Sequence, residues 1–84
     1  MTSIRWTNEA ILALASLTAA ERKILFDRLD AVTAFAQMYP RRQRGRFAGL
    51  RYFALDQRWL VYYQPSDRGD VLVFAIVPAL ARPR

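Results

Sequence analysis

The side chains with most capacity for chemistry in this chain are its arginines. Arg41, Arg42, Arg44, Arg46 and Arg51 fall within the stretch "RRQRGRFAGLR", and Arg58 and Arg82 follow. A guanidinium stays ionised across the physiological range and meets phosphate or carboxylate through flat, paired hydrogen bonds. Such a cluster suits a phosphate backbone or an acidic protein segment; the alternative is a solvated loop whose charge only aids solubility. Other chemistries are excluded by composition. The chain has no cysteine and no histidine, so it has no disulfide framework, no thiolate metal site and no Ser/His/Asp or Cys/His catalytic set. The usual general acid–base near neutral pH is missing as well. The seven acidic residues are scattered singly, and neither a metal nor a cofactor is expected. Gly45, Gly49 and Gly69 fit no phosphate-cradling loop.

The charge is divided unevenly. Up to residue 39 four basic residues balance four acidic ones; beyond it nine arginines face only Asp56, Asp67 and Asp70. The whole net charge of +6 therefore lies in the second half, and twelve of the thirteen basic residues are arginine. Eighty-four residues with 54% hydrophobic content make a single globular domain, residues 1–84, with a small core. No uncharged apolar run approaches the roughly 18 residues of a membrane span. "AILALASLTAA", residues 10–20, is the nearest thing to a leader core, but Glu9 precedes it and no positive cluster does. The expected location is cytoplasmic, without a membrane partner.

These side chains need elements to hold them. Residues 3–7, "SIRWT", alternate as a short strand, and Thr7 or Asn8 can cap a helix carrying Ile11, Leu14 and Ala15. "TAAE" at residues 18–21 is a capping-box pattern that starts a second helix at Ala19. Its apolar positions Leu25, Leu29, Val32, Ala36 and Tyr39 share one face, and Pro40 closes it after about 21 residues. Then the period changes. Residues 50–55 and 58–64 read as strands around a turn at Asp56-Gln57. "PSDRGD" is a second turn, and "VLVFAIV" at residues 71–77 is apolar on both alternating faces, like a central strand covered on both sides. The order is β-α-α-β-β-β: an α+β fold with a helical hairpin packed on a small, twisted, mostly antiparallel sheet.

On this scaffold Arg41, Arg42, Arg44 and Arg46 fall in a loop, whereas Arg51 lies in a strand and Arg58 opens the next. If the latter two share the open face of the sheet, they form a positive surface on a rigid platform. The aromatics Tyr52, Phe53, Trp59, Tyr62, Tyr63 and Phe74 are read mainly as core and cross-strand pairs, with one or two tyrosines left as exposed stackers.

The residues "GLRYFAL", "RWLVYYQPSDRGDVLVFAIV" and the entry Trp6-Thr7 with Ala10 resemble the RelE/ParE superfamily of type II toxin–antitoxin toxins over nearly the whole chain. The resemblance implies a compact sheet with two helices on one face. It also implies a toxin that inhibits growth and stabilises plasmids. Its partner would be an antitoxin whose flexible acidic segment wraps it and which links it to operator DNA. RelE-like members cleave mRNA on the ribosome, and ParE-like members poison DNA gyrase without cleaving nucleic acid. In the nuclease reading Arg51, Arg58 and Arg82 would be the catalytic candidates, holding the scissile phosphate. The pattern departs from the nuclease, however. Trp59 stands where the family's catalytic arginine falls, with Arg58 one place off; Arg82 matches the later arginine only in a shifted register. No tyrosine follows Tyr63, and Pro78 stands about where ParE-like members often carry a histidine. The resemblance therefore implies ParE-like binding, with Arg41, Arg42, Arg44, Arg46, Arg51, Arg58 and Arg82 as the target or antitoxin surface. The alternatives are the ribosome-dependent nuclease and an inactive basic module that binds an antitoxin.

Overall fold

The computed structural model describes residues 4–79; Arg82 lies outside them. Thr7 follows β1 (Ile4–Trp6) and caps α1 (Asn8–Leu14). Its hydroxyl accepts from the Ala10 N–H at 3.1 Å and donates to the Phe74 carbonyl at 2.7 Å. One side chain thus starts a helix and ties it to the sheet. Thr18 starts α2 (Ala19–Ala34) with the expected capping box: its hydroxyl accepts from the Glu21 N–H at 3.0 Å, and its own N–H donates to Glu21 Oε1 at 2.9 Å. Between the helices, the Arg22 guanidinium donates to the Leu14 carbonyl, which also accepts from the Leu17 N–H, and to the Leu17 carbonyl beyond the end of α1.

Leu25, Leu29 and Val32 are buried at helical spacing, as their pattern predicts. The helix itself is shorter than expected. It has 16 residues and ends at Ala34, well before Pro40, and Phe35 departs from helical backbone at φ −137° and ψ 73°. Side chains of the sheet take the carbonyls that follow. The Tyr63 hydroxyl donates to Ala36 at 2.8 Å, and Arg51 donates to Tyr39 at 2.7 Å and Gln37 at 3.4 Å. Tyr39 is held by its ring packing on Phe53, 5.0 Å between centroids, and not by a helical register.

The sheet has the order β1-β4-β3-β2, completed by β2 (Arg51–Leu55), β3 (Trp59–Pro65) and β4 (Val71–Pro78). β1 runs parallel to β4; the other two pairings are antiparallel. Asp56 and Gln57 turn β2 into β3 with positive φ values of 52° and 60°, the backbone of a type I′ turn. The register slips between Tyr62 and Tyr63: Tyr62 faces Ala75 and Tyr63 faces Val73, leaving Phe74 as the extra residue of a bulge. The bulge moves the helix-facing set of β4 from Val71 and Val73 to Ile76. This accounts for much of the unbroken apolar run in β4. Ala10, Leu17, Leu25, Leu29 and Val32 pack with Phe53, Leu55, Trp59, Val61, Tyr63, Val71, Val73 and Ile76 in one core. Both helices therefore cover the same face, and the other face is free of helices.

Candidate functional site: a basic loop strapped over an aromatic sheet face

The loop between α2 and β2 is tied down along both sides. The Arg42 N–H donates to the Leu50 carbonyl at 2.7 Å, Gly49 N–H to the Arg42 carbonyl at 2.9 Å, and Tyr52 N–H to the Pro40 carbonyl at 3.1 Å. Arg41 and Arg51 form an antiparallel bridge, so residues 40–42 cover the outer edge of β2. Gly49 reverses the chain at φ 89°, a left-handed conformation that favours glycine. The reversal lays Phe47 over the helix-free face.

There Phe47 stacks on Tyr62, with 4.3 Å between centroids and 24° between planes, and meets Phe74 edge-on at 6.2 Å. Tyr52 lies 5.6 Å from Tyr62. Tyr62 is left only 2% exposed although no helix covers it. The Arg46 guanidinium stands 4.9 Å from the Phe47 ring centre, and Arg42 stands 5.7 Å from that of Tyr52. Cation–π attraction helps hold both charges against the sheet. Arg42 is fixed further by its Nε donating to the Arg44 carbonyl at 3.2 Å. The result is a positive rim on an aromatic base, suited to carboxylate or phosphate contacts at a defined place.

The structure does not bring Arg51 and Arg58 together. Arg51 is half-buried on the helix-covered face, opposite Tyr63, where it holds the carbonyls after α2. Arg58 lies beyond Leu55, past the far end of β2; the strand alone separates the two by about 13 Å. Arg58 Nε is 3.3 Å from Glu21 Oε2. Glu21 is covered rather than deep: its side chain is 3% exposed beneath an Arg58 side chain that is 58% exposed. The Thr18 backbone N–H, more than any other group, holds the Glu21 carboxyl below the usual carboxylate range. Desolvation opposes that shift and the Arg58 charge reinforces it. The Trp59 indole N–H makes no well-formed hydrogen bond, yet lies close enough to favour the same charge. A carboxylate held charged in this way is a poor proton carrier near neutral pH.

The arginines therefore separate by role. Arg42 and Arg46 sit on the aromatic face, Arg41 and Arg44 are exposed in the same loop, and Arg51 and Arg58 have internal partners. Sequence reasoning overlooked Phe47. Its signal was present: a single large apolar residue inside "RGRFAG" needs a surface to cover it, and Tyr62 and Phe74 supply one. No family model, curated protein or solved structure matches the chain.

Proposed function

We propose that this chain is the toxin of a type II toxin–antitoxin module. In this reading it acts in the cytoplasm by binding DNA gyrase, in the manner of ParE-like proteins, and an antitoxin with an acidic segment neutralises it. The observation that carries the binding mode is the separation of the arginines. A phosphate-cleaving site would gather charges around one point. Here Arg51 and Arg58 are engaged at opposite ends of a hairpin, while Arg42 and Arg46 are presented together on the helix-free face. The RelE/ParE resemblance is compatible with the local structure at its motif residues. Thr7 caps α1 and Ala10 is buried beneath it; Gly49 turns the chain into β2; Val61 and Tyr63 are core. Among the described residues, no helix is long and apolar enough to cross a membrane.

The test is expression of the chain alone in bacteria. Filamentation with induced DNA damage is the expected result. Rapid translation arrest with mRNA cut in the ribosomal A site would replace gyrase by the ribosome and assign nuclease activity. Normal growth at a verified soluble level would remove both targets and leave an inactive antitoxin-binding protein.

A further inference from the structure

The face of the sheet away from the helices carries an apolar row. Ala54, Leu60 and Val77 are direct cross-strand neighbours on β2, β3 and β4. They point away from the core, because Phe53, Leu55, Trp59, Val61 and Ile76 beside them point into it. Ala54 is exposed, and Leu60 and Val77 are half-buried. Phe74, the extra residue of the bulge, adds a ring that is 37% exposed. Phe47 meets that ring edge-on from its seat on Tyr62. Apolar side chains left together on a surface in this way mark a contact site.

The charge beside that row has one sign. From Ala31 to Leu55 the chain has five arginines and no acidic residue. Arg42 and Arg46 of that stretch stand over rings of the same face, Tyr52 and Phe47. Asp56 stands in the exposed turn past the end of β2, away from the basic loop. The helical side is different: residues 8–34 carry four acidic residues against three basic ones. The domain is therefore polarised, with a slightly acidic helical layer on one side and a basic, apolar face on the other. Such a face matches the boundary of an anionic bilayer. Apolar side chains enter the headgroup layer, and long arginine stems let the charges stay at its phosphates.

We infer that the helix-free face docks on the surface of a membrane rich in anionic phospholipid. Leu60, Val77 and Phe74 seat among the headgroups, and Arg42 and Arg46 meet lipid phosphates. The lack of a membrane-spanning segment bears on insertion and not on surface contact of this kind. The inference stands apart from the proposed toxin function. A single-stranded nucleic acid fits less well. It needs open rings on which bases stack, and Tyr62, the central ring of this face, is 2% exposed beneath Phe47. The row of Ala54, Leu60 and Val77 is aliphatic and offers a base neither a π-face nor a hydrogen-bonding edge.

The experiment is sedimentation of the whole chain with vesicles of phosphatidylcholine alone and of phosphatidylcholine mixed with phosphatidylglycerol. Binding is expected to the mixed vesicles only, and is expected to weaken as salt is added. Arg42→Gln with Arg46→Gln, both at exposed positions, is expected to weaken it about thirtyfold, the loss of two arginines from an anionic surface. Leu60→Trp gives the row a depth reporter. Its fluorescence is expected to shift to the blue on mixed vesicles. That of the parent should hardly move, because Trp6 and Trp59 belong to the helix-covered side. Circular dichroism confirms that the variants fold. Equal binding to both kinds of vesicle, binding to neither, or unchanged binding of the double arginine variant overturns the inference. A Leu60→Trp spectrum that stays fixed while the chain sediments also overturns it, because another surface then makes the contact. Displacement from the vesicles by equimolar oligo-dT or oligo-rU overturns it in favour of nucleic acid. A parent that ignores vesicles but forms a dimer, lost in Leu60→Trp, overturns it in favour of a second copy of the chain.

Discussion

Arg51 donates a 2.7 Å hydrogen bond to the carbonyl of Tyr39, across twelve residues of chain. The same guanidinium nitrogen reaches Gln37, and Tyr63 beside it reaches Ala36. The arginine most suggestive of a site in the sequence is thus a brace that ends a helix and positions the basic loop. Removing it leaves two carbonyls without their charged donor. Hydrogen bonds to charged groups contribute about 1.5–3 kcal/mol each, so Arg51→Ala is expected to destabilise the fold by at least about 2 kcal/mol. Urea unfolding monitored by tryptophan fluorescence measures this. Arg51→Lys should fall between, because an ammonium keeps the charge but loses the fork. A midpoint unchanged in Arg51→Ala would contradict the brace.

Glu21 makes the fold sensitive to acid. Its folded pKa lies below the ordinary value of 4.5, chiefly through the Thr18 N–H and with Arg58 assisting. A lowered carboxylate pKa contributes stability that is present above the unfolded value and is lost as pH falls through the folded one. Melting temperature is therefore expected to drop below about pH 4.5, and Glu21→Gln should flatten that part of the profile. At neutral pH the same variant should be less stable than the parent, since it loses the ion pair with Arg58 and weakens the cap. An equally steep acid limb in Glu21→Gln would place the sensitivity elsewhere.

Phe47 is the fastener of the basic loop. Its ring contributes stacking on Tyr62 worth about 0.5–1.5 kcal/mol beyond the area it buries. Phe47→Ala should release the loop before it unfolds the domain. Limited trypsin digestion detects this, because the loop offers Arg41, Arg42, Arg44 and Arg46 as cleavage points. Faster cutting there, with little change in global unfolding, is expected. Cutting at the parental rate would mean the backbone bonds to Pro40, Arg42 and Leu50 hold the loop unaided.

Much of this architecture was legible in the sequence because local signals agreed with one another. The box at Thr18 and Glu21, the spacing of Leu25, Leu29 and Val32, and the turn at Asp56-Gln57 each needed only a few neighbouring residues. What escaped notice depended on distant pairs. The end of α2 is determined by Tyr63 and Arg51, which lie far along the chain from Ala36 and Gln37. The faces of Arg51 and Arg58 depend on strand register and on a turn, and alternation alone did not reveal that each would find an internal partner. The bulge at Phe74 likewise needed the β3 register and the Thr7 hydroxyl.

The turn between β2 and β3 holds two non-glycine residues in left-handed backbone, Asp56 and Gln57. A type I′ turn favours glycine at its second central position, where a side chain costs about 1 kcal/mol. Gln57 is exposed, so Gln57→Gly removes that strain without opening a cavity. Glycine also loosens the unfolded chain, which offsets part of the gain. A net stabilisation of about 0.5 kcal/mol is expected, read as a higher urea midpoint with unchanged slope. A lower midpoint would show that the Gln57 side chain contributes more than its backbone strain costs.

Under the proposed toxin reading, growth inhibition should follow the arginines that face outward rather than those with internal partners. Arg42 and Arg46 are held at 5.7 and 4.9 Å from the ring centres of Tyr52 and Phe47, and their charges are available to a partner. Reversing both, Arg42→Glu with Arg46→Glu, changes the charge of that face by four units without touching the core. The double variant is expected to fold yet lose growth inhibition when expressed in bacteria. Arg58→Ala should lose stability through Glu21 but keep the inhibition at matched soluble levels. Phosphate-cleaving chemistry centred on Arg58 requires the opposite outcome, with Arg58→Ala harmless to cells and the reversed loop still toxic. Growth curves and soluble-protein blots of the two variants, measured side by side, decide between them.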